Sequence, residues 1–149
     1  MLFRSTPKTW GSYYTVFQIG SYAAFSSKVQ NASAIIASNA YASNNTDWNY
    51  LGSSVPSTRY ETGLGEHRWF TAPAGTAGNA ISFTQALTLT AGGNLLLGGT
   101  ADPGGEKSVY VANTASVPGT PSGGGVLYVE SGALKYKGSS GTVTTLGAA

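Results

Sequence analysis

The sequence predicts an all-β fold built from short hairpins joined by Gly/Pro linkers. Three observations lead there. Residues 81–90 alternate, with Ile81, Phe83, Leu87 and Leu89 on one side of an extended strand and Ser82, Thr84, Ala86, Thr88 and Thr90 on the other. A period of two is the pattern of a strand with one buried face. Gly92-Gly93-Asn94 then supplies residues that tolerate positive φ, and Leu95-Leu96-Leu97 follows, so the segment reads as a hairpin. Finally, the 149 residues include 21 glycines and only 9% charged side chains, against roughly 25% in ordinary soluble domains.

That composition sets an energetic constraint. Fixing one residue's backbone costs roughly 1–2 kcal/mol, and burial returns roughly 25 cal/mol per Å² of apolar surface. Strands faced with Ser, Thr, Ala and Gly bury little such surface alone. Identical neighbours that share a core remove the deficit, so the chain is expected to be an obligate oligomer whose stability depends on assembly.

Taken in order, residues 13–19 alternate and form a strand that Gly20-Ser21 ends. Residues 22–41 carry Tyr22, Phe25, Val29, Ala32, Ile36 and Ala40 at helical spacings. Ser26, Ser27, Asn31, Ser33, Ser38 and Asn39 oppose a helix, because such side chains compete for backbone hydrogen bonds. Two short strands are the favoured reading. Asn44-Asn45-Thr46-Asp47 is a turn, residues 48–51 a short aromatic strand, and 53–57 a loop. Residues 58–61 and 66–70 form a hairpin around Thr62-Gly63-Leu64-Gly65. Its register puts Arg59, Glu61, Glu66 and Arg68 on one face, where opposite charges neutralise each other, and Tyr60, His67 and Trp69 on the other. After the 81–97 hairpin come a Gly/Pro turn at 98–105 and a strand at 108–113. A second Gly/Pro linker covers 117–125, and three strands follow at 126–130, 133–136 and 142–146. Soft boundaries near Pro103 and Gly123 divide the chain into a β-rich module (1–103), a linker with one strand (104–122) and a small C-terminal β module (123–149). A weak internal echo links Leu2-Phe3-Arg4-Ser5-Thr6-Pro7 with Leu96-Leu97-Gly98-Gly99-Thr100-Ala101-Asp102-Pro103, as if the chain opened on a module's closing strand.

Several function classes are disfavoured. The net charge is +2, and the eight basic residues are scattered, so no basic face for nucleic acid is visible. The absence of Cys excludes disulfides and thiolate chemistry. Met1-Leu2-Phe3-Arg4 does not read as a signal peptide, and no run approaches the ~18 apolar residues of a membrane span. The sequons at Asn31 and Asn44 are expected by chance in so Asn- and Ser-rich a chain.

Some wording is more specific. Thr6-Pro7-Lys8-Thr9-Trp10 with Gln18-Ile19-Gly20-Ser21-Tyr22, the run 70–85 and the run 87–95 resemble the opening, middle and closing hairpin of a module of bacteriophage tail-fibre and virion-appendage proteins. Residues 123–130 and 135–145 are similar to a short terminal module of phage structural proteins. The resemblance lacks the self-cleaving C-terminal chaperone domain, with its catalytic Ser, that many members carry. It implies an intertwined homotrimeric β-prism or stacked-sheet fibre. Such a fibre would be assembled in the host cytoplasm, carried on the virion, bound to other virion proteins and tipped with a surface for host glycan.

Candidate sites are few. His67 with Glu61 or Glu66 falls short of the four ligands of a closed metal site, and a hairpin histidine packed beside Tyr60 or Trp69 is the plainer reading. Glu61 and Glu66 could face each other as glycosidase carboxylates do, but Arg59 and Arg68 lie on the same face. Trp48, Tyr50, Tyr60 and Trp69 could stack on sugar rings; the same rings are also the bulk available for a core or trimer interface, as are Trp10, Tyr13 and Tyr14. Gly92-Gly93 and Gly123-Gly124-Gly125 are turns and linkers, not phosphate loops. The expectation is a non-enzymatic fibre or fibre tip with no catalytic residue, metal or cofactor, no nucleic-acid partner and no membrane insertion. The alternatives are a capsid decoration or head-fibre anchor and, third, a polysaccharide depolymerase using Glu61.

Overall fold

The computed structural model describes residues 8–149 except Glu106. The opening Met1–Arg4 and the first half of the internal echo, Leu2–Pro7, lie outside the described residues. The chain is all-β, as expected. Its strands are β1 (Tyr14–Ile19), β2 (Ala23–Lys28), β3 (Ser33–Ser38), β4 (Ala40–Ala42), β5 (Trp48–Tyr50), β6 (Ser57–Gly63), β7 (Glu66–Ala72), β8 (Thr84–Leu89), β9 (Leu95–Leu97), β10 (Val109–Val111), β11 (Gly125–Glu130), β12 (Ala133–Gly138) and β13 (Val143–Gly147). Residues 22–41 form strands rather than a helix. A single 3-10 turn at Val29–Asn31 reverses the chain, and Ala32 leaves it in the left-handed region at φ 47°.

Eight strands make one sheet in the order β1-β2-β3-β6-β7-β8-β9-β10. All its neighbours are antiparallel except β9 and β10. The strand expected inside the linker is thus an edge of this sheet. β11-β12-β13 form a second sheet, held near the first by Thr114 N–H to the Val129 carbonyl (2.7 Å) and Gly132 N–H to Asn113 Oδ1 (2.9 Å).

The core lies on one face of the large sheet. Ile35 and Ala37 of β3 pack with Ala40, Ala42 and Trp48 of the β4–β5 hairpin, and Trp10, Tyr14, Ile81 and Phe83 close over them. Small side chains let the hairpin approach closely. Gly11 shows how close: a Cβ there would stand 2.3 Å from the Asn44 carbonyl carbon. Trp48 is the hub. It meets Trp10 (5.8 Å, 89°), Tyr14 (5.8 Å, 87°) and Phe83 (6.3 Å, 80°) edge to face, the geometry that the aromatic quadrupole favours.

The 81–90 alternation is present, but its apolar residues do not share one face. Residues 80 and 81 leave the large sheet to pair with β5, where Ile81 N–H bonds the Trp48 carbonyl at 2.7 Å. A bulge then sets Trp69 opposite Leu87 and Phe70 opposite Gln85. One extra residue on a strand reverses its phase. Ile81 and Phe83 therefore face the core, whereas Leu87 and Leu89 emerge on the opposite side. Thr88, 3% exposed, and Thr90 occupy the covered face in their stead.

Two fully buried asparagines pin the loops. Asn39, at φ 55°, donates to the Val55 carbonyl (2.7 Å) and accepts from Gly52 N–H (2.7 Å). Asn94 fixes the crossover between the parallel strands. Its amide nitrogen donates to Asp102 (3.0 Å) and the Gly105 carbonyl (3.1 Å), and its oxygen accepts from Ser108 N–H and Oγ (both 2.9 Å). The Asn94 amide, helped by Gly104 N–H, holds the Asp102 carboxyl below the usual carboxylate range.

Asn94→Ala removes a fully buried amide and its bonds to Asp102, Gly105 and Ser108, so urea denaturation should show a loss of about 2–4 kcal/mol. Because the folded Asp102 pKa is depressed, its contribution is present above the ordinary carboxylate pKa and is lost as pH falls through the folded value. NMR titration of the Asp102 carboxyl carbon should show a depressed midpoint that moves up in Asn94→Ala.

Candidate functional site

The β6–β7 hairpin organises both candidate surfaces. It turns through Leu64 (φ 56°) and Gly65 (φ 80°), the two-residue positive-φ loop that matches strand twist. Its register pairs Arg59 with Phe70, Tyr60 with Trp69, Glu61 with Arg68 and Thr62 with His67. The charged residues and the Tyr60/His67/Trp69 set take opposite faces, as the alternation predicts.

On the covered face the charges lie within reach of one another without tight pairing. Glu61 is buried between two arginines: Arg59 Nη2 lies 3.5 Å from Oε2 and Arg68 Nη2 lies 3.6 Å from Oε1. Glu66 Oε2 is 3.8 Å from Arg68 Nε. The Arg59 guanidinium also stacks within an aromatic box, 4.2 Å from the Phe70 ring centre, 4.9 Å from Trp48 and 5.0 Å from Phe83. Such cation–π contact is worth most where water is excluded. Burial lowers the Arg59 pKa, with Glu61 opposing, and burial raises that of the Tyr14 hydroxyl.

A groove of about 300 Å³ opens beneath the sheet here, lined by Lys28, Asn31, Thr46, Arg59, Arg68 and Gln85 among others. A second of about 260 Å³ shares Thr46, Trp48, Arg59 and Phe70 with it. Sequence reasoning missed this groove. Lys28, Thr46 and Gln85 come from distant segments, and only the strand order brings them together.

The opposite face carries an aromatic shelf. Tyr60 and Trp69 rings lie 5.0 Å apart, His67 stacks against Trp69 at 6.3 Å, and Tyr60 Oη meets His67 Nδ1 at 2.6 Å. A groove of about 330 Å³, lined largely by apolar atoms, runs past Ala23, Ile36, Tyr60 and Trp69. The four glycan-stacking candidates are thus divided. Trp48 and Tyr50 are each only 6% exposed, with Tyr50 Oη donating to the Pro73 carbonyl at 2.7 Å. Tyr60 and Trp69 stand on the open side. Of the other aromatic candidates, Trp10 and Tyr14 join the core, and Tyr13 is exposed. Among the described residues, no three of His, Asp and Glu converge as metal ligands.

No family model, curated protein or solved structure matches the chain.

Glu61→Gln leaves two part-buried guanidiniums without their shared carboxylate. Chemical denaturation should show a loss of about 2–4 kcal/mol, partial exposure of Arg68 reducing the cost of a fully buried break. Glu66→Gln, at the rim, should change stability by less than about 1 kcal/mol.

Proposed function

We propose that this chain is a structural, non-enzymatic virion protein, a phage fibre or fibre tip that assembles as a homotrimer and displays a host-attachment surface. One observation supports the reading: the large sheet is covered on one face and open on the other, and the open face carries an apolar row from edge to edge. Strand register aligns Phe17, Phe25, Ile36, Tyr60, Trp69, Leu87, Leu97 and Val111 in one row. At ~4.8 Å between strands the row runs roughly 34 Å. Phe25 is 51% exposed, Ile36 54% and Trp69 39%. Flanking rows add Thr, Ser, Ala, His67, Ile19, Leu89, Leu95 and Val109, and no Asp, Glu, Lys or Arg side chain of the paired strands falls on this face.

A second copy is the occupant that this surface suits. Taking aromatic side chains at 150–250 Å² each, the exposed parts of its large residues sum to roughly 700 Å². That is close to the ~800 Å² per partner of a stable interface and above the patches that monomers usually leave open. Depletion of charge is likewise the mark of an interface centre. The C-terminal sheet supports the same reading. It has a single layer, and Leu127 (62% exposed), Leu134 and Tyr136 stand open on one of its faces.

Sedimentation and light scattering should return an elongated trimer whose melting temperature rises with concentration. Ile36→Asp should yield monomers that keep the wild-type circular dichroism spectrum. A compact wild-type monomer at all concentrations would contradict the proposal.

A further inference from the structure

We infer that the groove beneath the large sheet binds a small hydroxylated carboxylate, the chemistry of a sugar acid. The site is complete within one copy of the chain. It supplies a ligand class for the attachment reading but stands apart from assembly.

The groove is rich in cationic side chains. Three cations, Lys28, Arg59 and Arg68, line the groove. Each guanidinium has five N–H donors in a fixed fork. Arg59 Nε, Arg68 Nε and Arg68 Nη2 are closed off from solvent without a hydrogen-bond partner, so an incoming ligand meets the other guanidinium N–H groups and Lys28 Nζ, on walls whose exposed surface is mainly polar. The carboxylates beside them stand at 3.5–3.8 Å, beyond the 2.7–2.9 Å of a charge-assisted hydrogen bond. Lys28 Nζ lies over the Tyr14 ring, 5.6 Å from its centre, with no carboxylate paired to it among the described residues.

Charge and shape then select the ligand. Three cations line the groove against one lining carboxylate, Glu61, with Glu66 beside Arg68 and Asp47 in the adjoining groove, so an incoming anion meets a mainly cationic wall. A planar carboxylate matches a guanidinium fork and takes two parallel hydrogen bonds. The walls are polar: Asn31, Thr46 and Gln85 offer partners for hydroxyl groups. The volume of about 300 Å³ is at the small end of ligand sites, suited to a single ring. Arg59 already covers the faces of Trp48, Phe70 and Phe83, so recognition here runs through charge and hydrogen bonds rather than ring stacking.

The test titrates the full chain with sodium glucuronate, glucose, acetate and sulfate, followed by calorimetry and by tryptophan fluorescence. Glucuronate should bind once per chain; glucose, which lacks the charged group, should bind about tenfold or more weakly, and acetate, which keeps the carboxylate but lacks the ring hydroxyls, should also bind more weakly. Arg68→Gln should lose about tenfold or more in affinity. Because Arg68 also contacts Glu61, Lys28→Gln serves as the second variant: it should weaken glucuronate by a similar factor with its melting temperature unchanged. Ile36→Asp should bind as wild type does, which separates this site from the assembly surface. Equal binding of glucose and glucuronate, undiminished binding by Lys28→Gln, or sulfate binding as tightly as glucuronate would each overturn the assignment.

Discussion

A sheet has two faces, and this chain has material to cover one. The β4–β5 hairpin, Trp10, Tyr14, Ile81 and Phe83 form the cover, with Trp48 at the centre of their edge-to-face contacts. Small residues on the sheet, Ala24, Ser26 and Ala37, and on the hairpin, Ala40 and Ala42, let backbone approach backbone at the expense of apolar bulk. The bulky residues of the other strand phase collect on the opposite side. Both the open aromatic row and the polar groove follow from this division.

The division also explains the use of polar side chains inside. Glu61, Thr88 and Thr90 are buried where a core normally places Leu or Val. Polar groups survive burial only with partners. Asn39 and Asn94 meet that condition with several bonds each, and so act as rivets for loops that have little apolar surface of their own. The Arg59–Glu61–Arg68 cluster meets it only in part, with ion pairs longer than hydrogen bonds. The two asparagines are structural anchors; the charged cluster retains donor capacity.

Much of the fold was legible in the sequence. Alternation in residues 13–19, turn residues at Gly92-Gly93-Asn94 and the Ser/Asn content of 22–41 each pointed to strands, and strands form there. The faces of the β6–β7 hairpin were also legible, because a tight turn fixes register locally. The direction of Leu87 and Leu89 was not. It depends on a bulge against β7 and on a detour of residues 80–83 to β5, neither of which leaves a local signature. The burial of Trp48 and Tyr50 apart from Tyr60 and Trp69 was equally hidden, since sequence proximity says nothing about which layer a ring joins. The groove depended on strand order, a long-range property that no spacing encodes.

The account depends most on copies of the chain closing the open face of the large sheet. Hydroxyl-radical footprinting across a concentration series tests this residue by residue. The account predicts that Phe25, Ile36 and Trp69 become protected as concentration rises, while Val29 and Leu64, exposed in the turns, react equally throughout. Constant reactivity of all five in a well-folded chain would contradict it.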